Sequence, residues 1–223
     1  MATFCLIHGK WHDSSSWGPL PGMLRAEGHE VHTPDLPYDD PATTYAERVA
    51  PALADLRGAE APVVVAHSLG AGYAPLVAAS HPDSALVYVC PAPVGPFNDT
   101  ASPMRSTRDG FQFPANRADG TSIWEPQQAI ATLYPRLTSD AANALAARLR
   151  PGASPTDPYP LTAHPAVPVT FVYGAHDEFF DPAWSRWVAR EVVGVEPVEL
   201  GTGHFPMVEA PDAVAAILLD VAP

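Results

Sequence analysis

Short apolar runs rich in β-branched residues alternate along the chain with longer runs in which apolar positions recur every three or four residues. TFCLIHG, EVHTPDL, APVVVAHS and SALVYVCPA are of the first kind, and the segments between them, WGPLPGMLRAEGH, YAERVAPALADLRG and LGAGYAPLVAASH, are of the second. A strand that is apolar throughout must be covered on both faces, and a helix-length connection lets the next strand run parallel to it. The alternation returns near the C-terminus with VPVTFVYGAHD, AWSRWVAREV, VEPVELG and APDAVAAILLDV. The pattern predicts a doubly wound α/β fold of about six mainly parallel strands.

From about Pro91 to His164 the alternation fails. NDTASPMRSTRDGFQFPANRADGTS has no sustained period and many turn formers, so it reads as loop. Two helices are expected after it. WEPQQAIATLY opens on a proline suited to a first turn and aligns Ile130, Leu133 and Tyr134; TSDAANALAARLR is capped by Thr138 or Ser139 and aligns Leu145 and Leu149. An insertion of approximately residues 94–164 between two sheet strands is expected to form a small helical cap over the carboxyl ends of the strands, where open α/β sheets bind ligands. A plain surface excursion is the alternative.

Composition narrows the picture. With 223 residues, 47% of them hydrophobic, the chain suffices for one well-cored domain, expected to span 1–223, and is short for two. A net charge of −13 argues against nucleic acid or an anionic membrane surface and leaves a small-molecule substrate as the expected partner. MATFCLIHGK has neither a basic start nor a long apolar run, so no signal peptide or spanning helix is expected and the location is read as cytoplasmic. Cys5 and Cys90 sit in apolar runs and read as buried thiols, with no disulfide and no metal site. Oligomeric state is not legible.

Candidate chemistry begins at VVVAHSLGAG, Val63 to Gly72, where a strand runs into a serine followed by small residues. A strand turning sharply into a helix strains the residue at the corner and requires small neighbours at minus two and plus two, here Ala66 and Gly70. Ser68 therefore stands at a nucleophile elbow, with a helix starting at Leu69; a serine capping a helix is the plainer reading. A serine hydroxyl needs a base, and the base an acid to orient it. Both follow in the order expected of this architecture, Asp177 at the end of VTFVYGAHD and His204 after VEPVELG. Singly, Asp177 reads as a helix cap and His204 as a loop residue; together, each at a strand end, they read as a catalytic set. Acyl chemistry also needs oxyanion donors. The expected ones are the backbone NH groups of Leu69 and Lys10, with Gly9 letting the first loop approach, although HG is also a common turn.

At this point the sequence resembles the α/β-hydrolase superfamily, and more narrowly the plant-type methylesterase and hydroxynitrile lyase relatives and their bacterial homologues. The residues that carry the resemblance are HGKWHDSSSW, with the HG-x-W-H-x4-W opening, AHSLGAG, YGAHDEFF and GTGHFPMVEAP, and they span nearly the whole chain. The resemblance implies an esterase-like pocket between core and cap, with Ser68, His204 and Asp177 as triad and no cofactor. It also implies a lysine near the catalytic histidine in the lyase branch. Phe205 follows His204 here and no lysine lies downstream, which disfavours cyanohydrin cleavage.

Trp11, His12, Trp17, Phe205 and Met207, with Gly9, are candidates for the substrate pocket, although aromatic and Met side chains beside strand ends are commonly core. His12, His67 and His176, next to motif residues, read as hydrogen-bond partners. Lys10 is the only lysine among 12 basic residues. Its ammonium either points to solvent or draws an anionic substrate group to the cleft. The favoured function is a carboxylic-ester hydrolase for a small, largely apolar ester. A lyase or cyclase of specialised metabolism on the same scaffold is the alternative, and a ligand-binding receptor with a vestigial triad is a third.

Overall fold

Alternation within each strand decides which side chain meets which layer. In the computed structural model, which describes residues 1–97 and 102–223, six strands form one sheet: β1 (Thr3–Ile7), β2 (Glu30–His32), β3 (Val63–His67), β4 (Ala85–Val89), β5 (Val169–Gly174) and β6 (Val198–Leu200). Their order is β2-β1-β3-β4-β5-β6 and every neighbouring pair is parallel. The α-helices among the described residues are α1 (Leu20–Ala26), α2 (Tyr45–Asp55), α3 (Ala74–Ala79), α4 (Pro126–Thr132), α5 (Ser139–Ala146), α6 (Pro182–Trp187), α7 (Pro206–Glu209) and α8 (Pro211–Val221).

Phe4, Leu6, Val63, Val65, Val87 and Val89 face one side of the sheet, where Leu20 and Leu24 of α1 and Leu218 of α8 cover them. Cys5, Ile7, Val64, Ala66, Leu86 and Tyr88 face the other, under α2, α3 and α6 through Val49, Ala52, Ala74, Val77 and Trp184. Both faces are therefore dry, which is why the strands read as continuous apolar runs. Each fully buried Val, Leu or Phe contributes roughly 1.5–3 kcal/mol relative to exposure.

Three boundaries depart from the pattern. After Ser68 the chain makes a tight 3-10 turn over Ser68–Gly72, and α3 starts only at Ala74, because the corner must first clear the loop after β1. AWSRWVAREV divides into α6 and a π-helical turn, Val188–Val193, closed by Gly194 at φ 81°. The closing segment divides at Ala210, since Pro211 disfavours helical backbone in the residue before it. Thr138 is the cap of α5, accepting from the Ala141 NH at 3.3 Å.

Of the segment expected to be loop, residues 98–101 lie outside the described residues. The rest is tied down: Thr107 bridges to Phe180, and Ser122 bridges to both Asn116 and Gly152. Ala129, Leu133, Tyr134, Ala142 and Leu145 from and around α4 and α5 join the apolar cluster that holds Trp11 and Phe205. Among the described residues no helix is long and apolar enough to cross a membrane.

At the carboxyl end of β5, Gly174 packs against backbone of the loop after β6. A Cβ there would lie 2.5 Å from the Thr202 carbonyl oxygen and closer still to that of Gly203, and neither can swing aside. Gly174→Ala should cost at least the 1–3 kcal/mol typical of overpacking, about 2–4 °C of Tm per kcal/mol in a chain of this size. Gly201→Ala, with open space around the new methyl, should stay within about 0.5 kcal/mol. Urea unfolding of the pair checks the contrast.

Candidate active site

The sheet order reverses direction between β1 and β3, and ligands in such sheets bind outside the carboxyl ends of the strands at that point. Ser68 stands there with φ +51°, in the left-handed region, where a non-glycine residue costs about 1–3 kcal/mol. Packing around it holds that backbone. A Cβ on Gly70 would lie 2.6 Å from the Ile7 carbonyl oxygen, and one on Gly9 would lie 3.0 Å from Ser68 Cβ and 3.1 Å from His67 Nδ1. The Ser68 carbonyl accepts from the Ala92 NH at 3.0 Å.

The other two strand ends bring their residues to the same point. His204 Nδ1–H donates to Asp177 Oδ2 at 2.8 Å, which leaves the Nε2 lone pair to accept the Ser68 hydroxyl at 3.1 Å. Asp177 Oδ1 accepts the NH groups of Phe179 (2.8 Å) and Phe180 (3.1 Å), so the carboxylate is fixed at both oxygens. Arg108 holds the acid turn by donating to the Asp177 carbonyl at 2.9 Å. Glu209 holds the histidine loop by accepting the Gly203 NH at 2.9 Å and pairing with Arg136 at 3.3 Å. All three residues of the line are buried. Asp181, four residues beyond Asp177, is the cap of α6 and accepts the Ala183 NH at 2.8 Å.

Ser68 opens onto a cavity of about 200 Å³ whose walls include Lys10, Trp11, Leu69, Phe113, Phe179 and Phe180. Among the described residues the backbone NH groups of Lys10 and Leu69 meet no protein acceptor. Phe113 also lines an outer groove of about 750 Å³ along the insertion. Of the residues expected to form the pocket, Trp11 lines the cavity; Gly9, His12, Trp17, Phe205 and Met207 do not. Trp17 and Met207 are wholly buried in the core, and Phe205 packs among the rings of His67, His12 and Tyr134. Sequence adjacency to a motif put these side chains near the site, but strand and turn geometry turns them inward. Sequence reasoning missed Phe113, which comes from an aperiodic segment, and Phe179 and Phe180, for which the aromatic pair inside DEFF was the available signal. It also missed the environment of Cys90, a residue at φ 45° whose thiol donates to the Gly203 carbonyl at 3.8 Å.

Cys90, Asp177 and His204 place ligand-type atoms within 4.8 Å of one another. The donor set does not fit a metal: both His204 nitrogens are engaged, and burial, with Asp177 nearby, pushes the Cys90 thiol well up and keeps it neutral.

The family model described as alpha/beta hydrolase family matches residues 6–217. The chain belongs to that family. No curated protein sequence matches it. Polyneuridine aldehyde esterase superposes with a TM-score of 0.80 at 19% identity, covering 99% of each chain. Methylesterase MES16 from Arabidopsis gives 0.76 at 18% identity over 99% of this chain and 98% of its own. A pyrethroid hydrolase from Sphingobium faniae JZ-2 gives 0.75 at 19% identity over 98% and 96%. At these identities the likeness is one of fold.

Around the line this alpha/beta hydrolase carries three more buried histidines, all held neutral. His8 donates to the Gly9 carbonyl at 2.9 Å and accepts the Leu36 NH at 3.1 Å, and burial lowers its pKa. His12 donates to the Lys10 carbonyl at 2.7 Å and accepts from the Tyr134 hydroxyl; burial lowers it to about 4. His67 donates to the His204 carbonyl at 2.8 Å, and burial, then the neighbouring His204, push it well below the ordinary histidine range. Unfolded, each takes up its proton near pH 6.5; folded, each does so at lower pH. The unfolded state thus binds more protons below about 6.5, for His12 down to about 4, and stability should fall as pH falls through that window, by up to about 1.4 kcal/mol per pH unit per histidine. His12→Gln should flatten the slope by one histidine's share, read from urea midpoints between pH 7 and 4.5.

Proposed function

We propose that the protein is a serine-dependent hydrolase of small, largely apolar carboxylic esters that works through an acyl-enzyme. The observation that carries this reading is the hydrogen-bonded line from Asp177 through His204 to Ser68, ending on a serine of left-handed backbone at the wall of a cavity. In this reading His204 Nε2 takes the Ser68 proton as Oγ attacks the ester carbonyl, and Asp177 holds the ring and stabilises the imidazolium. The carbonyl oxygen, now an oxyanion, accepts from the NH groups of Lys10 and Leu69, both unclaimed by protein acceptors among the described residues. His204 then gives its proton to the departing alkoxide, the C–O bond breaks and the acyl group stays on Ser68. Water, deprotonated by His204, attacks the acyl carbon and releases the acid, restoring the Ser68 hydroxyl. No step needs a metal or organic cofactor.

Substrate size and character follow from the walls. A volume of about 200 Å³ is below the usual range for drug-sized ligands, which supports a small acyl group, and Trp11, Phe179 and Phe180 present apolar surface to it. Residues 94–164 act as the cap in this reading, with Phe113 between the cavity and the outer groove. The esterase and hydrolase names of the fold neighbours support ester chemistry over the lyase and cyclase alternative.

A panel of methyl and p-nitrophenyl esters of graded acyl length tests the reading. Ser68→Ala should fold normally and lose turnover. Asp177→Asn should lower kcat by about 10⁴, the loss seen when a triad histidine has the wrong tautomer. Asp181→Ala should keep turnover and lose about 1 kcal/mol of stability with the cap. Turnover surviving Ser68→Ala, or a kinetic loss at Asp181 in place of Asp177, would overturn the assignment.

A further inference from the structure

We propose that the Lys10 side chain binds an anionic group of the substrate, so that the preferred ester is a monoester carrying a second, free carboxylate. The proposal rests on the ester-hydrolase reading and refines its substrate class: an apolar spacer with a carboxylate at its far end.

Lys10 lines the same cavity as Ser68. Its stem lies against Gly152: a Cβ there would stand 2.7 Å from Lys10 Cγ and 3.1 Å from Cε, so a larger residue would displace the stem from this position. Gly152 is itself fixed by paired backbone bonds with Ser122 at 2.8 and 2.9 Å. Nζ stands 5.1 Å from the centroid of the Trp11 ring, another wall of the cavity.

Charge around the ammonium is unbalanced. Arg136, Arg148 and Arg150 each pair with a carboxylate, Glu209, Asp13 and Asp39 respectively. Among the described residues Lys10 has no carboxylate within ion-pair distance. The neighbouring charge is Arg48, fully buried, whose guanidinium donates to the Ala153 and Asp40 carbonyls, Tyr73 and Thr43 and, among the described residues, makes no ion pair, although Asp39 feels its charge. Two cations thus lie together in a chain of net charge −13. Burial, and then Arg48, bring the Lys10 amine down to about 8, still mainly charged at neutral pH. Half-buried, with the Trp11 ring but no carboxylate against it, the ammonium is a site where an incoming anion gains a charge-assisted hydrogen bond and relieves the repulsion from Arg48.

Two methyl esters of nearly equal shape separate the possibilities: monomethyl glutarate, with a terminal carboxylate, and methyl 5-methylhexanoate, with an isopropyl group in its place. The wild-type protein should favour the anionic ester in kcat/KM. Lys10→Met should lower the ratio of the two specificities tenfold or more, and Lys10→Arg should leave it nearer the wild-type value. Calorimetric titration of the Ser68→Ala protein, with and without Lys10→Met, reads the same ratio from dissociation constants without turnover. If neither ester is hydrolysed yet the anionic one binds in a Lys10-dependent way, the hydrolase reading fails and the Lys10 site stands. Equal affinities for both esters, or a ratio unmoved by Lys10→Met, overturns the Lys10 site whatever the fate of the hydrolase reading.

Discussion

The backbone of Ser68 is the constraint on which the site depends. A strand that must deliver a side chain at its tip and turn at once into a helix forces its corner residue to positive φ, and a serine tolerates this only where the surroundings leave no alternative. Those surroundings are backbone. Gly70 lies against the Ile7 carbonyl and Gly9 lies beside Ser68 and His67, so the loop after β1 and the corner after β3 are in direct contact. That contact exists because β1 and β3 are neighbours in the sheet, with Ile7 in register with Ala66. Strand order, glycine placement and serine strain are therefore one arrangement seen at three scales.

From the corner outward, the loop after β1 ties the sheet to the insertion. Trp11 donates its indole NH to Ser122 at 3.2 Å, His12 meets Tyr134, and Asp13 pairs with Arg148 at 2.8 Å. Three successive residues thus each hold a different part of the segment between β4 and β5, while their neighbour Lys10 stays at the cavity. The three buried histidines follow the same logic: burial keeps each neutral while its ring bonds to backbone or a phenol, which leaves His204 as the histidine hydrogen-bonded to both a carboxylate and the serine. In the proposed mechanism a proton leaving Ser68 therefore meets one base.

Much of this was legible in the sequence where local pattern decides the outcome. Six two-sided apolar strands, the small residues flanking Ser68, and an aspartate and a histidine at later strand ends all follow from periodicity and sterics, and the structure brings Ser68, His204 and Asp177 into one line. What depends on the path of an aperiodic chain was not legible. Phe113 reaches the cavity because bridges at Thr107 and Ser122 steer the insertion, and no periodicity announces them. His12 and Phe205 border motif residues yet are not among the cavity's walls, since neighbours in sequence at a turn diverge in space. The room for the Lys10 stem comes from Gly152, more than a hundred residues away.

The central claim is a covalent one, that an acyl group rests on Ser68, and trapping that bond tests it most directly. The protein treated with diethyl p-nitrophenyl phosphate and analysed by intact mass and peptide mapping should gain one diethylphosphoryl group, located on Ser68, in parallel with loss of ester hydrolysis. Modification at another residue, or full loss of hydrolysis with Ser68 unmodified, would contradict the account.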